Sequence, residues 1–507
     1  MRNISSARRS ALLLLLVVGV VVTSGCENSH PPPPAKAVTA LADDSRSRQI
    51  EAFCGHCHAP PRPESYARRD WPAEVSQGFR FYEGAENLHL AVPPEADVVA
   101  YYVALAPESI APPAQCLVEA NSLFQRQSPA TQSLAVSVSD LVSDPESKRM
   151  WGCDMRTGAI LEADAQGVLS EVARPLELSN PSRLTTVDLD HDGQTEILVS
   201  DLGSFFPQDH KNGAVWKLDP QSNWEATNLL HGVSRVCDVQ PGDLDGDGDL
   251  DLVVAEFGWR RTGRVLILWN EGSQSSEPWR IQVLDARHGA IDVPVIDLNQ
   301  DGRLDIVVLL SQEFENVLVY LNRGEGKFEP QSIYEAGDPS FGSSGIQVVD
   351  FDQDGDIDLI HTNGDSFDSS HVKPFHGIRW LENRGSFPFV VHEVTRLAGV
   401  HQAMAGDIDQ DGDLDLAAVS LLPPAVLQQY TGLPSVVWVE QTSPGTFATH
   451  VVEIDSASHP ACELQDVNAD GDLDLVATNF RWQEDPGPPV TWFHNQGRQL
   501  RTVSSKR

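Results

Sequence analysis

Basic residues are scarce in this chain of 507: 36 Lys and Arg stand against 73 Asp and Glu, a formal net charge of −37. Six bound divalent ions would still leave it near −25, which excludes nucleic acid as a partner, because phosphate binding needs clustered positive charge. Cysteine is scarce as well; seven in a chain of this length do not make a disulfide scaffold. The apolar run Ala11 to Val22 is too short to span a bilayer. Methionine is missing from the whole stretch between His58 and Arg149. No Walker loop, dinucleotide fingerprint or Ser/His/Asp ordering stands out, so an enzyme reading lacks a cofactor of its own and the balance leans to an electron carrier.

What is present in quantity is aspartate at fixed spacing. A nine-residue loop is written six times, with first aspartates at 188, 243, 297, 350, 407 and 466. Oxygens at positions 1, 3, 5 and 9, the carbonyl of position 7 and a glycine at position 6 suit a hard cation such as Ca2+. The candidate ligands are Asp188, Asp190, Asp192, Gln194 and Glu196; Asp243, Asp245, Asp247, Asp249 and Asp251; and Asp297, Asn299, Asp301, Arg303 and Asp305. The later loops offer Asp350, Asp352, Asp354, Asp356 and Asp358; Asp407, Asp409, Asp411, Asp413 and Asp415; and Asp466, Asn468, Asp470, Asp472 and Asp474. Up to six calcium ions are expected, bracing turns rather than catalysing, with Glu196 marking the first site as the weakest.

Each loop sits between short alternating segments. Around Asp243 these are Arg235 to Gln240, Leu250 to Glu256, Arg264 to Trp269 and Trp279 to Leu284. Four strands at a period of 53 to 59 residues describe propeller blades. Residues 131 to 180 have the same strand spacing without the aspartates, so the fold class is mainly β, a seven-bladed β-propeller over 131–507 whose first blade has no metal loop. The last blade is read as ending in Arg501 to Val503, with closure left to the packing of the ring or to a segment near 120.

Residues 1–25 read as a signal peptide, basic at Arg2, Arg8 and Arg9 and then apolar, and Ser24-Gly25-Cys26 resembles a bacterial lipobox. Cys26 would then carry a lipid, anchoring an exported protein to the periplasmic or cell-surface face of a membrane. Residues 26–44 form a proline-rich linker. Within 45–107, Cys54-Gly-His-Cys57-His58 is the C-x-x-C-H pattern of covalent haem attachment, two thioethers and a proximal histidine. Helical patterns flank it, giving a small all-α unit similar to cytochrome c with one haem c, followed by a linker over 108–130. The sixth iron ligand is read as His89, the best local candidate, which would give a bis-histidine site; Met155, in the next domain, or an open position are the alternatives.

The repeats, with strands such as DLVVAEFG and DLDLAAVS, resemble the FG-GAP/VCBS repeats of integrin-type β-propellers. With Cys-Gly-His-Cys-His ahead of them, the arrangement is similar to exported haem-plus-VCBS proteins, a resemblance that implies architecture and no activity. On the face away from the aspartate loops, His231, His288, His401 and His459 are placed in connections between blades, with Glu256, Arg260, Glu313, Asp365, Lys373 and His376 nearby. That face is the expected place to bind a ligand or dock the small unit. Cys116, Cys153, Cys237 and Cys462 are left as three possible disulfide pairings or free thiols. The function read from all this is electron transfer with a redox partner. The alternatives are an oxidoreductase with substrate on the propeller face, and an adhesion or scaffold protein with a sensory haem.

Overall fold

The computed structural model describes residues 45–84, 90–113, 118–120, 123–127, 134–135, 137–144, 149–163, 168–272, 279–367, 371–483 and 486–497. Seven four-stranded antiparallel blades follow one another around a ring. The first is Val138–Ser143, Met150–Asp154, Ala159–Ala163 and Leu169–Ala173, a blade without an aspartate loop, as the strand spacing predicts. The third, Val236–Gly242, Asp251–Glu256, Arg264–Asn270 and Trp279–Asp285, shows the common plan. Its first strand is innermost, its second is buried along its whole length, and its fourth is largely exposed.

Packing lies between blades rather than within them. A separate apolar cluster fills each of the seven blade interfaces: Val253, Val265 and Ile267 of the third blade meet Ile306 and Val308 of the fourth, for example. The cluster of Val138, Leu141 and Leu161 with Val476 and Trp492 joins the first blade to the seventh. The sheets can stack this way because strand residues alternate faces, so a blade buried on both sides needs near-continuous Val, Ile and Leu in its inner strands.

Closure comes from the segment near 120. Phe124–Gln127 pairs antiparallel with Val490–Asn495 and supplies the fourth strand of the last blade, beside Asp474–Thr478 and Cys462–Gln465. Just before it, Val118–Ala120 pairs in parallel with Thr446–Ile454 of the sixth blade. Arg501 to Val503 lie outside the described residues.

Ahead of the ring stand three helices: α1 (Ser45–Cys54), α2 (Trp71–Gly84) and α3 (Glu95–Leu105). Ile50, Tyr66, Trp71, Val75, Val98 and Tyr102 form their core, with Trp71 and Tyr102 stacked at 3.9 Å. No helix among the described residues is long and apolar enough to cross a membrane.

Candidate functional site: a chamber between ring and helices

Three local devices meet on this scaffold. The first is the row of aspartate loops. Positions 1, 3 and 9 converge in the loops at 188 and 243, and positions 1, 3 and 5 in those at 350 and 407, each with carboxylate oxygens within 4.8 Å of one another. Asp350 Oδ1 and Asp407 Oδ1 are buried without a hydrogen-bond partner among the described residues, as expected of oxygens that await a cation. The donor set is all hard oxygen and fits calcium. The glycine at position 6 is required by the backbone: φ is +101° at Gly355 and +105° at Gly412, where a Cβ would be strained.

Position 9 has a second task that the spacing did not reveal. Asp251 accepts from Leu244 N at 3.1 Å and from Asn270 N at 2.8 Å, tying the loop to the end of the third strand, and Asp305, Asp358, Asp415 and Asp474 do the same. Position 4 links neighbouring loops: Gln300, Gln353 and Gln410 donate to the carbonyls of Gly355, Gly412 and Gly471, and His191 reaches Gly248 O. The loops differ in their local cations. Lys217 Nζ lies 3.6 Å from Glu196 and 3.9 Å from Asp190, and Arg303 Nη2 lies 2.5 Å from Asp301, so the first and third loops already hold a positive charge.

The second device is the Cys54-to-His58 turn at the end of α1. Cys54 is packed beneath Tyr102, and burial pushes its thiol up; Cys57 is an exposed free thiol. His58 Nδ1 donates to Ala59 O at 2.8 Å, which fixes the tautomer and leaves Nε2 as an unprotonated donor to a metal. The two thiols and this histidine fit a covalent haem. Cys26 and His89 lie outside the described residues. Met155 lines the chamber described below.

The third device is the docking of the helices on the ring. Lys373, 1% exposed, donates to Ser65 O at 2.7 Å and lies 3.3 Å from the centre of the Tyr66 ring. Arg62 donates to Ala336 O at 2.7 Å, Ser65 Oγ to Asp338, and Arg260 stacks on Phe81 at 4.4 Å. Burial brings Lys373 down to about 8, outweighing the opposing carboxylates of Glu74, Asp338 and Asp70. His288 pairs with Glu313 at 2.9 Å. Burial would raise Glu313, yet the hydrogen bond to His288 and the charge of His288 outweigh it and hold it below the usual carboxylate range.

Beneath the helices the ring encloses a chamber of about 560 Å³, lined by Tyr66 from the helical unit and by loops of several blades. Its waist comes from the position just after a bulge in four of the first strands, Asp140, Arg183, Asp292 and Gln402, and Asp238 holds the equivalent position in the third blade. Asp140, Asp238, Asp292 and Gln402 each accept from a backbone N–H of the next blade, those of Leu184, Val293, Ile346 and Cys462. Arg183 Nη1 pairs with Asp292 and lies 3.4 Å from Asp238. Burial raises Asp140 to about 6 and Glu315, beside the chamber, to about 8. Above the waist, ring contacts run from Phe205 to Phe480 at 5.9 Å, to Trp482 at 5.1 Å and to Phe367 at 5.4 Å.

Of the histidines expected here, only His401 lines the chamber. His459 is buried, bonded to Thr478 O and Glu453, His376 is buried inside its own loop, and His231 lies on an exposed outer strand. The girdle was missed because an acidic residue three places into a strand reads as one half of ordinary alternation; its signal was the recurrence in VSD, VCD and AID. Cys153, Cys237 and Cys462 are free thiols, so none of the pairings among them forms, and Cys116 lies outside the described residues.

Residues 243–308 and 297–361 match the FG-GAP-like repeat. No curated protein matches the chain. Similar solved structures include a lectin of Agrocybe aegerita described as recognising non-reducing terminal N-acetylglucosamine (15% identity, 73% of this chain and 94% of that one, TM-score 0.40). A virginiamycin B lyase from Staphylococcus aureus (12%, 73% and 98%, 0.45) and a streptogramin B lyase (13%, 74% and 99%, 0.48) are also similar.

Proposed function

We propose that this is an exported, lipid-anchored electron-transfer protein in which a small haem-bearing unit is held on a calcium-braced propeller. The observation that carries the reading is the Cys54-x-x-Cys57-His58 turn with His58 Nδ1 committed to a backbone carbonyl and Nε2 free. Bound there, a haem supplies one-electron chemistry. The chain's own residues hold it through the two thiols, orient His58 through Ala59 O, and set the unit against the ring through Lys373, Arg62 and Arg260. Cys26 supplies the anchor, and a redox partner protein or small donor supplies electrons.

A second reading, an oxidoreductase with its substrate on the propeller face, is favoured by the chamber, because Tyr66 both lines it and carries the docking lysine. Expression in a host that matures c-type cytochromes tests the first reading. A covalently attached haem that cycles reversibly in a redox titration is the expected result. Loss of the haem band in Cys57→Ser and His58→Ala is expected too. Full-length protein that leaves the maturing host without haem would overturn it.

A further inference from the structure

We propose that the central chamber takes an uncharged dihydroxyaromatic compound of the hydroquinone class as electron donor, in the oxidoreductase reading, on which this proposal rests. The ring would lie against the aromatic roof and the hydroxyl groups toward the polar waist. The chamber has the volume of a small-molecule site, which typically runs to about 300–1,000 Å³. Its charged groups already have partners within the chain. Arg183 is tied to Asp292 and Asp238, Arg156 donates to the carbonyls of Arg481 and Trp482, and Arg260 lies over Trp259 at 4.1 Å. Asp140 accepts from Leu184 N at 2.9 Å and Asp365 from Phe367 N at 2.8 Å. Such a lining favours neither an organic anion nor an organic cation, and a ligand without net charge suits it best.

The roof calls for an aromatic ring that carries oxygen. Phe206, Phe205, Phe480, Trp482 and Phe367 line the chamber as one continuous run of ring contacts, three of them edge-on at 80°, 71° and 63°. A planar aromatic ligand extends such an array by the same edge-to-face and offset contacts. The run also holds an unused donor: Trp482 Nε1 is buried without a hydrogen-bond partner among the described residues. A buried N–H is rarely left unpaired, and a ligand oxygen is the partner this one lacks.

Electron donation is assigned by what lies behind Tyr66. Tyr66 lines the chamber and meets Trp71 edge-on at 5.4 Å, Trp71 stacks on Tyr102 at 3.9 Å, and Tyr102 hydrogen-bonds to Cys54 of the haem clamp. Touching groups therefore lead from the chamber to the thiol that would hold the haem. Lys373 over the Tyr66 ring disfavours loss of an electron from that ring, so the rings bridge the gap for tunnelling and are not themselves oxidised. Conversion of a hydroquinone to a quinone breaks two O–H bonds and releases two electrons and two protons. The electrons leave singly, each taking the haem iron from ferric to ferrous, and the redox partner removes one before the next arrives. Asp140, raised to about 6 by burial, takes up the protons in turn and passes them to water. A neutral sugar would stack on the same rings but gives no electron to a ferric haem.

Two measurements on the mature full-length protein test it. Isothermal titration, with and without haem, uses 2-naphthol, which ferric haem c does not oxidise, against decahydro-2-naphthol, 2-naphthoate and 2-naphthylmethylammonium. Saturable binding of 2-naphthol at one site is expected, at least tenfold tighter than the saturated or charged probes and weakened about tenfold in Trp482→Leu. Anaerobic stopped-flow mixing of the ferric protein with methylhydroquinone then follows the haem band. Reduction should saturate with donor concentration, be blocked by 2-naphthol, and slow about tenfold in Trp71→Leu with 2-naphthol affinity unchanged. Should Trp71→Leu fail to fold, Tyr102→Phe, which keeps the ring and loses the contact to Cys54, should slow it about threefold. Failure of 2-naphthol to bind, or unchanged affinity in Trp482→Leu, would overturn the chamber assignment whatever the haem does. Reduction at the same rate in the Trp71 and Tyr102 variants would overturn the route. Binding of 2-naphthol without saturable reduction by methylhydroquinone would instead sink the oxidoreductase reading.

Discussion

Glu315 shows how one buried acid can make the whole molecule sensitive to base. Its carboxylate accepts from Ser343 N at 2.9 Å and Gly342 N at 3.2 Å, but burial prevails and raises it to about 8. A carboxyl raised in the fold contributes stability that is fully present below its unfolded value near 4.5 and is lost as pH rises through 8. Glu463, raised to about 8 by burial with a further push from Asp140, acts in the same direction. Melting temperature in the presence of calcium should therefore fall as pH rises from about 4.5 to about 8, and Glu315→Gln should make that fall shallower. An equally steep fall in the variant would show that Glu315 is not responsible. No local sequence rule marks Glu315, because its position depends on the loop at 342 folding over it. The Cys54-to-His58 turn is by contrast contiguous in the sequence, five consecutive residues at the end of α1, and its reading as a haem clamp belongs to the proposal above.

At the scale of elements, the six aspartate loops share a sequence plan but not an electrostatic setting. The loops at 243, 350 and 407 have aspartate at positions 1, 3, 5, 7 and 9. Those at 297 and 466 have asparagine at position 3, and those at 188 and 297 carry the nearby cations Lys217 and Arg303. Calcium titration should resolve a tight class and a weaker class, the tight one made of the loops at 243, 350 and 407. Lys217→Gln should tighten the first site by about 3- to 10-fold, on the order of 1 kcal/mol for removing a partly screened like charge. Chelation should lower the melting temperature. An unchanged first site in Lys217→Gln, or one class of six equal sites, would refute this ordering. Blade number and loop position were readable in the sequence because period and composition are properties of adjacent residues. The rank of the sites was not, since Lys217 lies 21 positions beyond Glu196 and reaches it only across the blade.

At the scale of the molecule, the ring closes on a strand that precedes its first blade. Phe124 is 7% exposed and sits against Trp438, and Arg126 pairs with Glu453 at 2.6 Å, so the closing segment grips the sixth blade as well as the seventh. Phe124→Ala should cost about 3–5 kcal/mol, the usual range for a buried phenylalanine. Phe206→Ala, 67% exposed, should change stability by less than about 0.5 kcal/mol. Equal melting temperatures for the two variants would mean that closure contributes nothing. The sequence could only offer a segment near 120 as one option, because a strand of FQRQ has no alternation strong enough to declare its partner.

That closure also sets a timetable. The ribosome makes Phe124–Gln127 first and its partner Val490–Asn495 about 370 residues later, a delay of roughly 20 to 70 s at 5–20 residues per second. Throughout that interval the closing segment is an open edge of unpaired backbone beside an unfinished ring, the kind of surface on which another chain can add. Early blades can stack as they appear, but the circle cannot be completed until the last blade arrives. A chain cut short before residue 490 would be left with both the first strand and the seventh blade unsealed, and would be a ready target for proteases or aggregation.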